Sequence, residues 1–197
     1  MLPAGLGIVG FSAKAMAATA NAGLNRAYFD VRDMGAGYAN NAYPYTPPVG
    51  LLNGLRLTTG MLLHEGLDAV FARHHRIAEG VRRAVQAWGL DLCATSRDVY
   101  SDTVSAIVTP EGINGTDVVT HAATEYGVAF GVGLGEVAGK VFRIGHLGSL
   151  TDVMALSGIA TAEMCLADLG MDIRLGSGVA AAQDYYRAGD RAPKDAA

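Results

Sequence analysis

The chain of 197 residues is 50% hydrophobic and 17% charged, enough to bury one sizeable core or two small ones and too apolar for a disordered polymer. A net charge of −4 and a pI near 5.7 give no electrostatic footprint for nucleic acid. No charged-then-apolar leader and no bilayer-length apolar run is expected, so a membrane is not an expected partner.

Gly5 to Ser12 is a continuous apolar run and predicts a strand buried on both faces of a parallel sheet. Such a strand needs neighbours that the following residues do not supply, so upstream chain is expected to complete the sheet. Gly5-Leu-Gly-Ile-Val-Gly10 matches a dinucleotide fingerprint, but that motif needs a strand before it and a helix opening at its end. Here the motif is itself the strand, so dinucleotide binding is not expected. Residues 13–22 predict a short helix. From 23 to 48 a loop rich in Gly, Asn and Pro carries Tyr28, Phe29, Tyr38, Tyr43 and Tyr45, aromatics whose density predicts burial.

Residues 49–64 predict a helix entered just after two prolines. In 67–88, Leu67, Val70, Phe71, His74, Val81, Ala84, Val85 and Trp88 recur at three- and four-residue spacing, and Gly89 ends the pattern. Arg73, Arg76, Arg82 and Arg83 fall around Glu79 and read as a solvated face of this helix. Val104–Val108 predicts a strand. Asn114 caps a helix to about Tyr126, which is also the better reading of the Asn114-Gly-Thr116 glycosylation sequon. Ser149-Leu-Thr-Asp152 reads as a capping box before a helix to Leu169, and an Ala-rich tail follows. This alternation beyond residue 90 predicts an α+β domain. The expected boundary lies near residue 66, giving domains 1–65 and 66–197.

The chemistry concentrates in Val-Phe-Arg-Ile-Gly-His-Leu-Gly, residues 141–148. Arg143 sits between Phe142 and Ile144 in a strand-like run, and a guanidinium left dry and unpaired costs several kcal/mol. Either it meets a buried carboxylate, or its tip reaches water, or it clamps the carboxylate of a small substrate through its fork. The loop Gly131–Gly139 lacks the Lys-Ser/Thr ending of a phosphate-binding loop and reads as a flexible wall before Arg143. Tyr43 and Thr46 each place a hydroxyl beside a proline. Turn chemistry and helix capping account for them, as would anion binding near a helix N-terminus. The five histidines show no metal-ligand spacing; His64 and His121 read as surface or capping residues, and His146 as a structural histidine or a pocket wall. Cys93 and Cys165 read as reduced core thiols of a cytoplasmic protein.

Three segments carry a resemblance. Phe142-Arg-Ile-Gly-His-Leu-Gly148 with its preceding glycine-rich loop, Tyr43-Pro-Tyr-Thr46-Pro47 with the apolar run after it, and Leu2-Pro-Ala-Gly-Leu6 stand along the chain in family order and resemble the C-terminal half of the class V pyridoxal-phosphate (PLP) aminotransferases, in particular the alanine–glyoxylate and serine–glyoxylate enzymes. The resemblance implies the α/β aspartate-aminotransferase-like (type I) fold, with this chain holding the end of the large PLP-binding domain, a linker helix and the small α+β domain. It implies ping-pong transfer of an amino group from serine, or from alanine or aspartate, to glyoxylate, giving glycine and a 2-oxo acid. Arg143 would bind the substrate α-carboxylate, and Tyr43 and Thr46 the phosphate of PLP in the other subunit of a homodimer with shared active sites. The lysine that holds PLP would lie just upstream of Met1, since none of Lys14, Lys140 and Lys194 stands in its context. No catalytic residue is then expected here, and the upstream half of the polypeptide becomes a partner. The alternatives are a lyase or desulfurase of the same class, or a non-catalytic acid-binding module.

Overall fold

The computed structural model describes residues 1–188. Lys194 and the last part of the 66–197 domain expectation lie outside the described residues. The chain divides into two compact units after Met61.

The first unit contains no strand among its described residues. Gly5–Ser12, expected as a buried strand, forms no strand, and Ile8 and Val9 are 81% and 72% exposed. The physical reason is the one that made the run conspicuous: a strand apolar on both faces has no pairing partner in this unit. Helix α1 (Ala13–Ala18) starts at Ser12, whose hydroxyl accepts from the Ala15 amide at 3.1 Å, and continues as a turn of 3-10 helix over Thr19–Asn21. Within the expected loop lies a further helix, α2 (Val31–Ala39). Asp30 caps it through the Arg32 amide at 2.9 Å, and its carboxylate is gripped by the Arg32 guanidinium, which holds its pKa far below the usual carboxylate range. Gly35 and Gly37 inside the helix hid it from propensity reasoning. The aromatics expected to be buried are not. Tyr28 stacks on Tyr45 at 4.5 Å, yet both rings, with Phe29, Tyr38 and Tyr43, remain exposed.

Helix α3 (Val49–Glu65) runs through the division between the units. Gly66, at φ +86°, breaks it from α4 (Leu67–Ala87), and Gly89, at φ +71°, follows the α4 C-cap at Trp88. The second unit has at its centre a three-stranded antiparallel sheet in the order β1 (Val104–Val108), β3 (Val141–Gly145), β2 (Gly131–Val132). Register pairs Ile107 with Phe142 and Ser105 with Ile144, so one face carries Ile107, Phe142 and Ile144 into the core. That face joins one core with α4, α5 (Gly115–Tyr126) and α6 (Asp152–Asp168), through Ile77, Val81, Val85, Val118, Ile159 and Leu166, and α7 (Ser177–Ala188) packs on α4 and α6. On the expected apolar stripe Val70 is buried, but Leu67 and Phe71 are exposed, and continuous burial of α4 begins only at Ile77.

Helix α7 was read as an Ala-rich tail. Gly178, Ala182 and Tyr186 form a buried stripe at four-residue spacing, and α7 packs most extensively on α4. Gly178 sits where a Cβ would lie 2.4 Å from Trp88 Nε1, and Gly80 where one would lie 2.2 Å from the Tyr186 ring. Tyr186 donates its hydroxyl to the Ile77 carbonyl at 2.9 Å. Buried Glu163 on α6 accepts from Trp88 Nε1 at 2.8 Å and from the Gly176 and Gly178 amides at 2.9 and 2.5 Å, which caps α7 with an internal carboxylate. The cap of α6 is Thr151, to the Met154 amide at 3.3 Å, rather than Ser149.

The arginine-rich face of α4 is also not simply solvated. Glu79 and Arg82 are 7% and 4% exposed, Arg82 pairing with Asp102 at 2.6 Å. A charge at helix spacing is buried when a partner from another segment reaches it. Cys165 is buried, but Cys93 is exposed, because only its backbone joins the sheet edge, donating to Ala106 O at 2.9 Å.

Candidate active site

Arg143 is the central residue of β3, flanked across the ladder by Ala106 on β1 and Gly131 on β2. Both neighbours are small, and that is what lets a guanidinium lie along the sheet. A Cβ on Gly131 would stand 3.1 Å from Arg143 Nε and 3.4 Å from Cζ. Arg143 is half-buried between fully packed Phe142 and Ile144. Its Nε donates to the Val132 carbonyl at 2.8 Å, and among the described residues its two terminal nitrogens have no hydrogen-bond or ion-pair partner. The bond at Nε fixes the guanidinium plane. The terminal N–H groups are left in the geometry that receives two carboxylate oxygens end-on. The buried ion pair that would have explained this arginine structurally is absent among the described residues. Sequence reasoning missed Gly131 and the Val132 carbonyl as its supports, although both stand in the glycine-rich loop it had singled out.

That loop folds as β2 followed by a 3-10 turn over Gly135–Val137, and Gly133 passes so close to Val137 that a Cβ would meet its carbonyl oxygen at 2.2 Å. It is a tightly packed wall rather than an open cradle. His146, three residues past Arg143, is buried. Nδ1 lies 3.1 Å from the Asp102 carbonyl and Nε2 2.9 Å from the Ser105 hydroxyl. Both ring nitrogens are thus engaged by protein, leaving none for a substrate. Burial pushes its pKa down to about 4. A cleft of about 310 Å³ runs along the neighbouring edge, between Phe130, Ile144, His146 and Met154.

His74 stabilises the chain leaving β3: its Nδ1 lies 2.7 Å from the Val70 carbonyl, and its Nε2 accepts the Gly148 amide at 3.0 Å. Arg73 holds the carbonyl of the same residue at 2.6 Å. His64 is exposed, and His121 lies 2.8 Å from Asp168. No group of His, Cys, Asp and Glu able to hold a metal ion occurs among the described residues.

In the first unit, Tyr43 and Thr46 are both exposed beside the start of α3, and neither hydroxyl has a hydrogen-bond partner among the described residues. Thr46 does not cap the helix: the first amide of α3 bonds instead to the Pro47 carbonyl at 2.9 Å. Two unspent hydroxyl donors at the head of a seventeen-residue helix are a donor set suited to a phosphate dianion.

The antiparallel sheet that carries Arg143, with its packed helices, has the aspartate-aminotransferase-like fold, of which this chain matches about half. The chain is 67% identical over 187 residues to an L-aspartate–glyoxylate aminotransferase of Paracoccus denitrificans, covering 95% of this chain and 47% of that protein. To a serine–glyoxylate aminotransferase of Hyphomicrobium methylovorum it is 50% identical, over 94% of this chain and 46% of the other. Its structure matches ureidoglycine–glyoxylate aminotransferase from Bacillus subtilis with a TM-score of 0.79 at 26% identity, over 89% of this chain and 45% of that one. No family model matches. The chain's close homologues are aspartate– and serine–glyoxylate aminotransferases, and it spans about half the length of the curated relatives it matches.

Proposed function

We propose that the protein to which this chain belongs is a PLP-dependent aminotransferase that moves the amino group of a small amino acid to glyoxylate, forming glycine. The observation that carries this reading is Arg143, oriented by Val132 and Gly131 with both terminal nitrogens uncommitted. An amino acid and a 2-oxo acid share one feature, the α-carboxylate, and a single end-on clamp serves both in turn. That is the economy a ping-pong exchange requires.

When bound, PLP supplies the electron sink. This chain's part is positional. Arg143 fixes the carboxylate, and with it the direction of the Cα substituents. Tyr43 and Thr46 donate to the cofactor phosphate, contributed across a homodimer to the partner's site. The lysine that holds the cofactor belongs to the upstream half of the polypeptide, since neither Lys14 nor Lys140 stands in the family's context. In that arrangement residues up to 65 complete the large domain, and those from 66 form the small one. The upstream half and the second subunit together would cover the exposed Ile8, Val9, Phe11 and Phe29.

For the donor, the name of the relative at 67% identity favours aspartate, and that of the relative at 50% favours serine. His146 keeps both ring nitrogens inside the protein and so carries no weight for either donor. We place aspartate first. The protein would work in the cytoplasm in glycine biosynthesis, a setting compatible with two free cysteines and with no described helix long and apolar enough to cross a membrane. The test is a panel of aspartate, serine and alanine assayed with glyoxylate on the full-length protein, following glycine. No glycine from any donor would overturn the reading.

A further inference from the structure

We propose that a second site on the small unit, the cleft between α4, the 97–102 segment and α7, binds a small dianion, a phosphate or a short dicarboxylate. The cleft, of about 240 Å³, is lined by Arg82, Arg83, Arg97, Tyr100 and Tyr185. Its floor is the buried Glu79 carboxylate, on which three guanidiniums converge: Arg83 at 3.0 Å, Arg97 at 3.4 Å and Arg82 at 3.5 Å. Asp102 takes the other edge of Arg82 at 2.6 Å. Three fixed positive charges therefore face two carboxylates, in a protein whose net charge is negative.

Arg82 is buried at the back of the cleft, while Arg83 and Arg97 stand exposed at its mouth. Arg82 lies 5.3 Å from the Tyr100 ring and Arg83 5.7 Å from the Tyr185 ring, which fixes both guanidinium planes. The Nε of Arg82 is buried with no hydrogen-bond partner. Arg83 contributes only its Nε to Glu79, and Arg97 only one terminal nitrogen, so their remaining N–H groups have no partner among the described residues. The hydroxyls of Tyr100 and Tyr185 likewise have none. Donors in excess of acceptors, in a cleft with one uncompensated charge, are complementary to an oxyanion with several acceptor oxygens. The cleft has room for phosphate or a three- to four-carbon dicarboxylate. None of the residues assigned to substrate or cofactor takes part, so this site stands or falls independently of the proposed transamination.

The experiment is calorimetric titration of the full-length protein, saturated with PLP so that the cofactor's phosphate site is filled, with inorganic phosphate and separately with malonate at low salt. Saturable binding of at least one probe is expected, weakened about ten-fold or more in R83Q/R97Q and unchanged in R187Q, which removes an exposed arginine outside the cleft. Should the double variant misfold, R97Q alone, at an exposed position, is expected to weaken binding several-fold. Phosphate binding alone that R83Q/R97Q weakens assigns a phosphorylated ligand, and malonate binding alone that R83Q/R97Q weakens a dicarboxylate. No saturable binding of either probe, or equal affinity in the arginine variants, overturns the proposal.

Discussion

Ser105 on β1 reaches His146, the residue that follows β3, its hydroxyl donating to Nε2 at 2.9 Å. The direction follows from the other ring nitrogen: Nδ1 meets the Asp102 carbonyl at 3.1 Å, and a carbonyl can only accept. Burial keeps the imidazole neutral at pH 7, so its single proton sits on Nδ1, and it ties the exit of β3 to the segment preceding β1.

A pH dependence follows. Burial lowers the His146 pKa to about 4, against about 6.5 in an unfolded chain. Between these values the unfolded state binds the extra proton, so stability is whole above about pH 6.5 and falls as pH drops toward 4. The loss attributable to this residue is on the order of 3 kcal/mol. Urea unfolding of the wild type and H146Q at pH 7 and pH 4.5 measures it. The variant is expected to be less stable at pH 7 and to show a flatter pH slope; parallel slopes would reject the assignment.

Glu163 offers a stability test away from the site. Glu163→Ala strips the acceptor from Trp88 Nε1 and from the Gly176 and Gly178 amides, leaving buried donors unsatisfied. A cost of about 3–5 kcal/mol is expected, since hydrogen bonds to charged groups are worth about 1.5–3 kcal/mol each and do not add fully. Glu163→Gln, which retains one good acceptor, is expected to lose about half as much. Denaturant midpoints of the two variants check the order.

The second unit was largely legible in the sequence because its signals are local. Apolar spacing in 67–88, the Asn114 cap and the β-branched run around Arg143 each name an element without reference to anything distant. Legibility failed where a partner from elsewhere decides. Arg82 and Glu79 looked solvated until Asp102 and Arg97 reached them, and α7 looked like a tail because small residues, not large ones, form its buried stripe. The first unit failed for the opposite reason: Gly5–Ser12 has the composition of a central strand and no strand to pair with. For the site, Arg143 was visible as an anomaly of charge in an apolar run. Gly131 was not, because its meaning lies in the cross-strand register.

The exposed apolar residues of the first unit bear on handling. Ile8, Val9 and Phe11 face solvent in an apolar segment that forms no strand, and such segments are prone to intermolecular pairing. Expressed alone, the 197-residue chain is expected to aggregate, and co-expression with the upstream half of a full-length relative is expected to keep it soluble. A monodisperse monomer with one cooperative melt would count against the proposed cover.

Thr46 separates cofactor binding from turn chemistry. A capping threonine replaced by alanine costs about 1 kcal/mol, but Thr46 makes no capping bond here. Thr46→Ala is therefore expected to leave the melting temperature of the PLP-free protein within about a degree, an exposed substitution falling within ±0.5 kcal/mol. PLP affinity in the full-length dimer is expected to fall several-fold. Unchanged affinity would remove Thr46 from the phosphate site.

Arg143→Lys is the sharpest test of the proposed mechanism, because it keeps the charge and removes the fork. Lysine has no Nε–H to meet the Val132 carbonyl, so the ammonium loses both its fixed orientation and the second donor to the carboxylate. Losing one charge-assisted arm, about 1.5–3 kcal/mol, lowers kcat/KM by about ten- to a hundred-fold. Both half-reactions should fall together, since the amino acid and glyoxylate present the same group to the same residue. PLP affinity and the absorbance of bound cofactor should stay near wild type, the arginine being assigned to the substrate and not to the phosphate. Pre-steady-state measurement of each half-reaction, with circular dichroism to verify the fold, decides the matter. Wild-type kcat/KM in both would leave Arg143 as a structural residue bonded to Val132, and loss in only one would show that the two substrates do not share the clamp.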